Sequence, residues 1–209
     1  MANSMVHWNG NQLCAIDCET TGLDPHYHEL IQICILPLDS NVQPRKDILP
    51  FYIELVPDYP ERASFEAMKV NRLNFAKIGQ RGHDRLQAVD MLEEWIKKLK
   101  LPTTKYGNSK RIIPLGQNYT FDQSFIQAWL GVTTYNDLFS YQYRDTQRAA
   151  LYLNDRAGMH AEDVPFAITD LDFLARRSGV ESVRAHDALS DCVTTAGIYR
   201  YMLQRGLLG

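Results

Sequence analysis

Leu13-Cys14-Ala15-Ile16-Asp17-Cys18-Glu19-Thr20-Thr21-Gly22 is an apolar run that ends in two carboxylates one residue apart. Leu13 to Ile16 has no polar member, so both faces of the segment are apolar and it reads as a central strand of a sheet. Side chains alternate along a strand, which points Asp17 and Glu19 to one face and Cys14, Ile16 and Cys18 to the other. Carboxylates held at the end of a buried strand lose hydration, and without a partner they either cost folding free energy or shift their pKa upward. A divalent cation is the simplest partner for such a pair.

Composition bounds what this strand serves. The chain has 209 residues, 45% of them hydrophobic and 22% charged, enough for a proper core, and one globular unit spanning 1–209 is expected. The formal net charge of -3 gives no global basic footprint, so any contact with a polyanion must be local. Cys14, Cys18, Cys34 and Cys192 form no CxxC pair and no Cys/His ligand cluster, and they read as reduced core residues of a cytoplasmic protein. Met1 to Gly10 lacks the charged and apolar regions of a signal peptide. No later run approaches the roughly 20 apolar residues that span a bilayer, so no membrane partner is expected.

Working outward from the first strand, Glu29 to Leu38 and Ile48 to Val56 read as two more, with short connections that favour antiparallel neighbours. Ser64 to Gly79 predicts a short helix followed by an irregular turn. From Arg85 onward, Leu86, Val89, Leu92, Trp95, Ile96 and Leu99 recur at helical spacing and predict an amphipathic helix. Arg111 to Leu115 is a fourth strand candidate, entered after a helix and so expected to be parallel to an earlier strand. Asp122 to Leu130, Asp145 to Leu153, Thr169 to Ser178 and Ala188 to Leu203 read as helices. Strands early and helices late predict an α/β fold with a mixed sheet of about five strands flanked by helices.

Three more polar positions join the first pair. Asp122 follows the fourth strand at a helix start, where functional loops of α/β sheets gather and where a carboxylate also simply complements the helix dipole. His186 and Asp191 form an H-x4-D spacing at the entrance of the last helix, a weak signal when taken alone. Their joint order is more specific. Asp17-Cys18-Glu19-Thr20-Thr21-Gly22-Leu23, Gly116-Gln117-Asn118-Tyr119-Thr120-Phe121-Asp122 and His186-Asp187-Ala188-Leu189-Ser190-Asp191-Cys192 resemble the three motifs of the DEDD-type exonucleases that carry a histidine in the third motif. These 3′–5′ exonucleases have the ribonuclease-H-like fold and include proofreading, tRNA-trimming and oligoribonuclease-like members. The similarity runs from about Leu13 to Leu203.

The resemblance implies two Mg2+ or Mn2+ ions held by Asp17, Glu19, Asp122 and Asp191, with Asp17 between them and Asp122 acting through water. Two such ions about 3.5–4 Å apart clamp the attacking and leaving oxygens of a phosphoryl displacement. His186 would be the general base, and the substrate the 3′ end of single-stranded DNA or RNA, cut to nucleoside 5′-monophosphates. The resemblance further implies that Thr20, Leu23 and Asn118 contact substrate, Leu23 as a wedge between bases. Phe65, Tyr119 and Phe121 would stack bases or belong to the core, and Asp145 would be structural, supporting the site or capping a helix. Several relatives are homodimers, which makes a second copy of the chain a candidate partner. Two positions depart from the family pattern: Gln32, where many relatives have glutamate, and Gln117, where the second motif often has histidine.

Two rival readings remain beside it. A module that kept the fold and binds nucleic acid without cutting it would usually have lost a ligand or the histidine, and none is missing. A glycosidase couple needs carboxyls about 5–10 Å apart on separate elements, whereas Asp17 and Glu19 share a strand. The basic stretch from Lys97 to Arg111 reads as a solvated helix end and loop, or as a guide for a strand.

Overall fold

The computed structural model describes residues 11–107, 109–181 and 186–206. Its centre is a five-stranded mixed sheet in the order β3-β2-β1-β4-β5, formed by β1 (Gln12–Thr20), β2 (Leu30–Pro37), β3 (Phe51–Glu54), β4 (Ile112–Gly116) and β5 (Arg144–Asp145). The first three strands form an antiparallel meander, with Ile16 opposite Ile35 and Cys34 opposite Tyr52. β4 returns parallel to β1, Ala15 opposite Leu115, as its entry after a helix requires. β1 is thus central, and its apolar run is buried on both faces.

Among the described residues, eight helices flank the sheet: α1 (Phe65–Asn71), α2 (Phe75–Arg81), α3 (Arg85–Lys98), α4 (Thr120–Leu130), α5 (Val132–Leu138), α6 (Thr146–Met159), α7 (Leu171–Ser178) and α8 (Ala188–Gly206). One face of the sheet, carrying Cys14, Ile16 and Cys18, packs on α3 and α4 through Leu92, Trp95, Phe125 and Ile126. The other face, carrying Leu13, Ala15 and Cys34, packs on the small residues Ala188, Cys192 and Ala196 of α8. Small side chains let α8 lie close to the strands. Its outer side is covered by α6 and α7 through Leu153, Phe166, Leu174, Ile198 and Met202. All four cysteines are free and buried, as their setting in the sequence implies. No helix among the described residues is long and apolar enough to cross a membrane.

Several local expectations need correction. The turn expected after the first short helix contains α2, started by Asn74, whose side chain accepts from Lys77 N–H. α5 is an additional helix that begins directly after Gly131. Leu86 is 79% exposed, although its spacing matches the apolar face of α3. It lies in the first turn, where Ala88 takes the buried position.

Candidate active site

The site is assembled where β1 outruns β4. β4 stops at Gly116, whose missing side chain leaves room for Tyr119; a Cβ there would meet the Tyr119 ring at 2.8 Å. The chain then turns through Asn118, at φ +54, into α4. This turn places Asp122 beside the strand edge that β4 has left open. There the Cys18 N–H, the Cys18 thiol and its own N–H favour the charged form of its carboxylate. Asp122 is 3% exposed and lies in the first turn of α4, where a carboxylate also complements the helix dipole.

Asp17 and Glu19 share the face of β1 that α8 covers. Asp191 lies in the first turn of α8 and is 5% exposed. One ligand atom each from Glu19, His186 and Asp191 lies within 4.8 Å of the others. Asp17 feels the negative charges of Asp122, Glu19 and Asp191, so the carboxylates of all three sequence motifs converge on one centre. Arg184 and Ala185, which lead into the third motif, fall outside the described residues.

The electrostatics are those of acids crowded together. Loss of hydration, then Asp122, Glu19 and Asp191, hold Asp17 well above the usual carboxylate range. Burial and then the Asp191 and Asp122 charges push Glu19 up to about 8. Burial also brings Asp122 to about 8, against the opposing pull of its hydrogen bonds. Asp191 is raised to about 6 by burial, opposed by the His186 N–H, which donates to Oδ2 at 3.0 Å. The other oxygen, Asp191 Oδ1, is buried with no hydrogen-bond partner. A buried anionic oxygen left this way is costly unless something else meets it. Hard, crowded carboxylate oxygens with one unpartnered member fit a divalent cation.

A cavity of about 510 Å³ opens beside this centre, lined by Glu19, Thr20, Leu23, His28, Val70 and Phe121 among others. Two hydrogen bonds hold α1 over it: Ser64 N–H to the Thr21 carbonyl at 2.7 Å, and Asn71 Nδ2 to the Thr20 carbonyl at 3.0 Å. Leu23 is 81% exposed on its rim, so the core alternative for this residue is excluded. Asn118 is exposed but is not part of this cavity's lining. Of the aromatics, Phe121 lines the cavity, whereas Phe65 is exposed and lies outside the lining. Tyr119 is wholly buried, its hydroxyl 2.8 Å from that of Tyr135, and belongs to the core.

Asp145 holds the neighbouring turn. Its carboxylate accepts from Asn118 N–H (3.3 Å), Tyr119 N–H (2.8 Å) and Arg148 N–H (3.1 Å), so it is an N-cap and a brace for the second motif at once. The two positions that depart from the family pattern are also structural ties. Gln117 donates to the Thr169 carbonyl at 2.6 Å and accepts from the Thr146 hydroxyl. Gln32 accepts from Ala188 N–H at 3.0 Å, across 156 positions of sequence. A contact missed by sequence reasoning joins Tyr52 Oη to Asp187 Oδ1 at 2.6 Å. Tyr52 lies in an apolar strand pattern with no polar partner nearby in sequence, so nothing local signals it.

A mixed five-stranded sheet flanked by helices, with an acidic centre at the end of its first strand, defines the class: a ribonuclease-H-like fold. The Exonuclease family model matches residues 14–199, and the chain belongs to that family. Cell-death related nuclease 4 (CRN-4) superposes with a TM-score of 0.70 at 18% identity, covering 94% of this chain and 64% of its own. The nuclease domain of 3'hExo, a DEDDh family member bound to rAMP, gives 0.68 at 19% identity, covering 95% of this chain and 94% of its own. E. coli Exonuclease I in complex with a dA16 oligonucleotide gives 0.67 at 17% identity, over 95% of this chain and 42% of its own. The chain thus spans less than two thirds of CRN-4 and of Exonuclease I. At these identities the likeness establishes the fold. No curated protein sequence matches the chain.

Proposed function

We propose that the chain is a divalent-metal-dependent 3′–5′ exonuclease that shortens single-stranded DNA or RNA and releases nucleoside 5′-monophosphates. The observation that carries this reading is the convergence of Asp17, Glu19, Asp122 and Asp191, with Asp191 Oδ1 left without a partner. Asp17, Glu19, Asp122 and Asp191 would hold Mg2+ or Mn2+, which supplies Lewis-acid stabilisation of the charge that develops on the phosphate. His186, exposed at the mouth of the centre, would take the proton from the attacking water. Thr20 and Leu23 would position the terminal nucleotide in the adjoining cavity, where Phe121 offers an aromatic surface for a base. Asn118 would touch the strand from the exposed turn before α4, while Asp145 keeps that turn in place. That structural neighbours include one complexed with an oligonucleotide and one bound to rAMP supports a nucleic-acid substrate.

The test uses oligonucleotides labelled at the 3′ or the 5′ end, as matched DNA and RNA, with Mg2+ or Mn2+. Stepwise shortening of the 5′-labelled strand and early release of labelled mononucleotide from the 3′-labelled one are expected, both lost in Asp17→Ala. Metal-independent turnover, or undiminished turnover in Asp17→Ala, would end the proposal. Strand binding without mononucleotide release would favour the silent binding module instead.

A further inference from the structure

His186 stands on backbone in a conformation uncommon for residues other than glycine. Its φ is +64, in the left-handed region, where a side chain with a Cβ is strained and persists only if the surroundings hold it. It is exposed and precedes α8. What holds it is a set of hydrogen bonds to the three consecutive residues His186, Asp187 and Ala188. The first, from His186 N–H to Asp191, comes from within the acidic centre. The other two come from the sheet: Tyr52 Oη donates to Asp187 Oδ1 at 2.6 Å, and Gln32 Oε1 accepts from Ala188 N–H at 3.0 Å.

Tyr52 and Gln32 are neighbours. Gln32 is on β2, and Tyr52 on β3 is opposite Cys34, which lies on the face that α8 covers. Alternation puts Gln32 on that same face. The Ala188 N–H is one of the first-turn donors that a helix cannot satisfy from within, and it is buried. The Gln32 amide is itself oriented, because its nitrogen donates to Glu54 at 3.4 Å and Glu54 is in turn gripped by Arg81. Burial and the Asp187 carboxylate push the Tyr52 phenol above its ordinary value, so it remains a donor throughout the neutral range.

We infer that Tyr52 and Gln32 are positioning residues that clamp Asp187 and Ala188 to the sheet and thereby fix where the His186 imidazole stands above the acidic centre. This rests on the proposed exonuclease reading for the role of His186, and it assigns a task to two residues outside all three motifs. The hydrogen bonds of Tyr52 and Gln32 go to Asp187, Ala188 and Glu54 and not to the four acids of the centre or the His186 imidazole. Their effect should therefore appear in the turnover step and not in substrate binding.

Tyr52→Phe removes only the hydroxyl, and Gln32→Met removes the acceptor for Ala188 N–H together with the amide donor to Glu54; Gln32→Glu restores the acceptor alone. With a 3′-labelled single-stranded oligonucleotide and saturating Mg2+, Tyr52→Phe and Gln32→Met should each lower kcat about tenfold with KM within about twofold of wild type. Gln32→Glu should recover most of the loss. Thermal melting separates these effects from misfolding, and amide hydrogen exchange at residues 186–188 should quicken in Tyr52→Phe and Gln32→Met but not in Asp17→Asn. Wild-type kcat in both variants, a loss confined to KM, or unchanged exchange would each overturn the clamp. If wild type releases no mononucleotide, the exonuclease reading fails, and the exchange data alone still decide whether the clamp exists.

Discussion

The acidic centre and the junction between β4 and α6 both bury a carboxylate, and they do so in opposite ways. Asp145 is 6% exposed, and its two oxygens accept from three backbone N–H groups. Thr146 and Gln117 beside it are also paired. Asp191 is equally buried at 5%, yet one of its oxygens meets nothing, and its neighbours Asp17 and Glu19 add repulsion. A fold that only needs to hold a turn saturates its buried acid. The centre at the end of β1 leaves its acids short of partners, which costs stability and keeps binding capacity for a ligand.

The contrast predicts opposite responses to removing a charge. Asp17→Asn should lower exonuclease turnover by roughly 10³-fold, the scale of losing a preorganised electrostatic group. It should also raise the melting temperature of the metal-free protein near pH 8, because one repelling charge is gone. A fall in metal-free melting temperature would break the comparison. His186→Ala should reduce kcat by about 10²–10⁴-fold while leaving metal affinity, read by calorimetry, almost unchanged. Equal losses in both would deny it the role of base.

A pH series sharpens the same point. Glu19 and Asp122 are held near 8 and Asp191 near 6, all above the unfolded carboxylate value near 4. The folded protein therefore binds more protons than the unfolded chain across this range, and stability falls as pH rises. The contribution is fully present below about pH 4 and is lost as pH rises through about 6 to 8. Metal-free melting temperature should decline between pH 5 and 8, and Mg2+ or Mn2+ should restore it most at the alkaline end. The junction should behave in the reverse sense to the acidic centre: Asp145→Ala should cost about 2 kcal/mol of stability by denaturant unfolding, through a lost N-cap and two unpaired amides. The smallest effect is expected where no buried carboxylate is altered. Tyr135→Phe leaves the buried Tyr119 hydroxyl without its partner and should cost about 1 kcal/mol, with turnover unchanged.

The sequence made β1 legible because an unbroken apolar run ending in Asp17 and Glu19 fits few other structures, and β4 because its entry after a helix dictates a parallel return. Local pattern failed where packing decides. Val132–Leu138 has β-branched and polar residues with no apolar period, yet it is helical, with Tyr135 driven into the core beside Phe139. Leu86 kept the period and still lies in water, because periodicity does not say which positions of a helix packing covers. Within the site, the motifs named the acids and the histidine, while the hydrogen bonds that place them were not legible. Gln32 stood out only as a departure, and its partner Ala188 is far along the chain. Tyr52 carried no mark at all. A tie between distant segments leaves no trace in the spacing of either.

The cysteines beneath the acidic centre carry a consequence for handling the protein. Cys18 lies beside Asp122, and burial, followed by the charge of that carboxylate, raises its pKa well above the ordinary value. Burial holds Cys14 and Cys192 up in the same way. Nucleophilic sulfur is the thiolate, so these three side chains resist alkylation and peroxide while the fold is intact. Iodoacetamide should leave the native molecule unlabelled at these positions and modify them once it opens, which makes sulfur chemistry a reporter of unfolding and not a means of control.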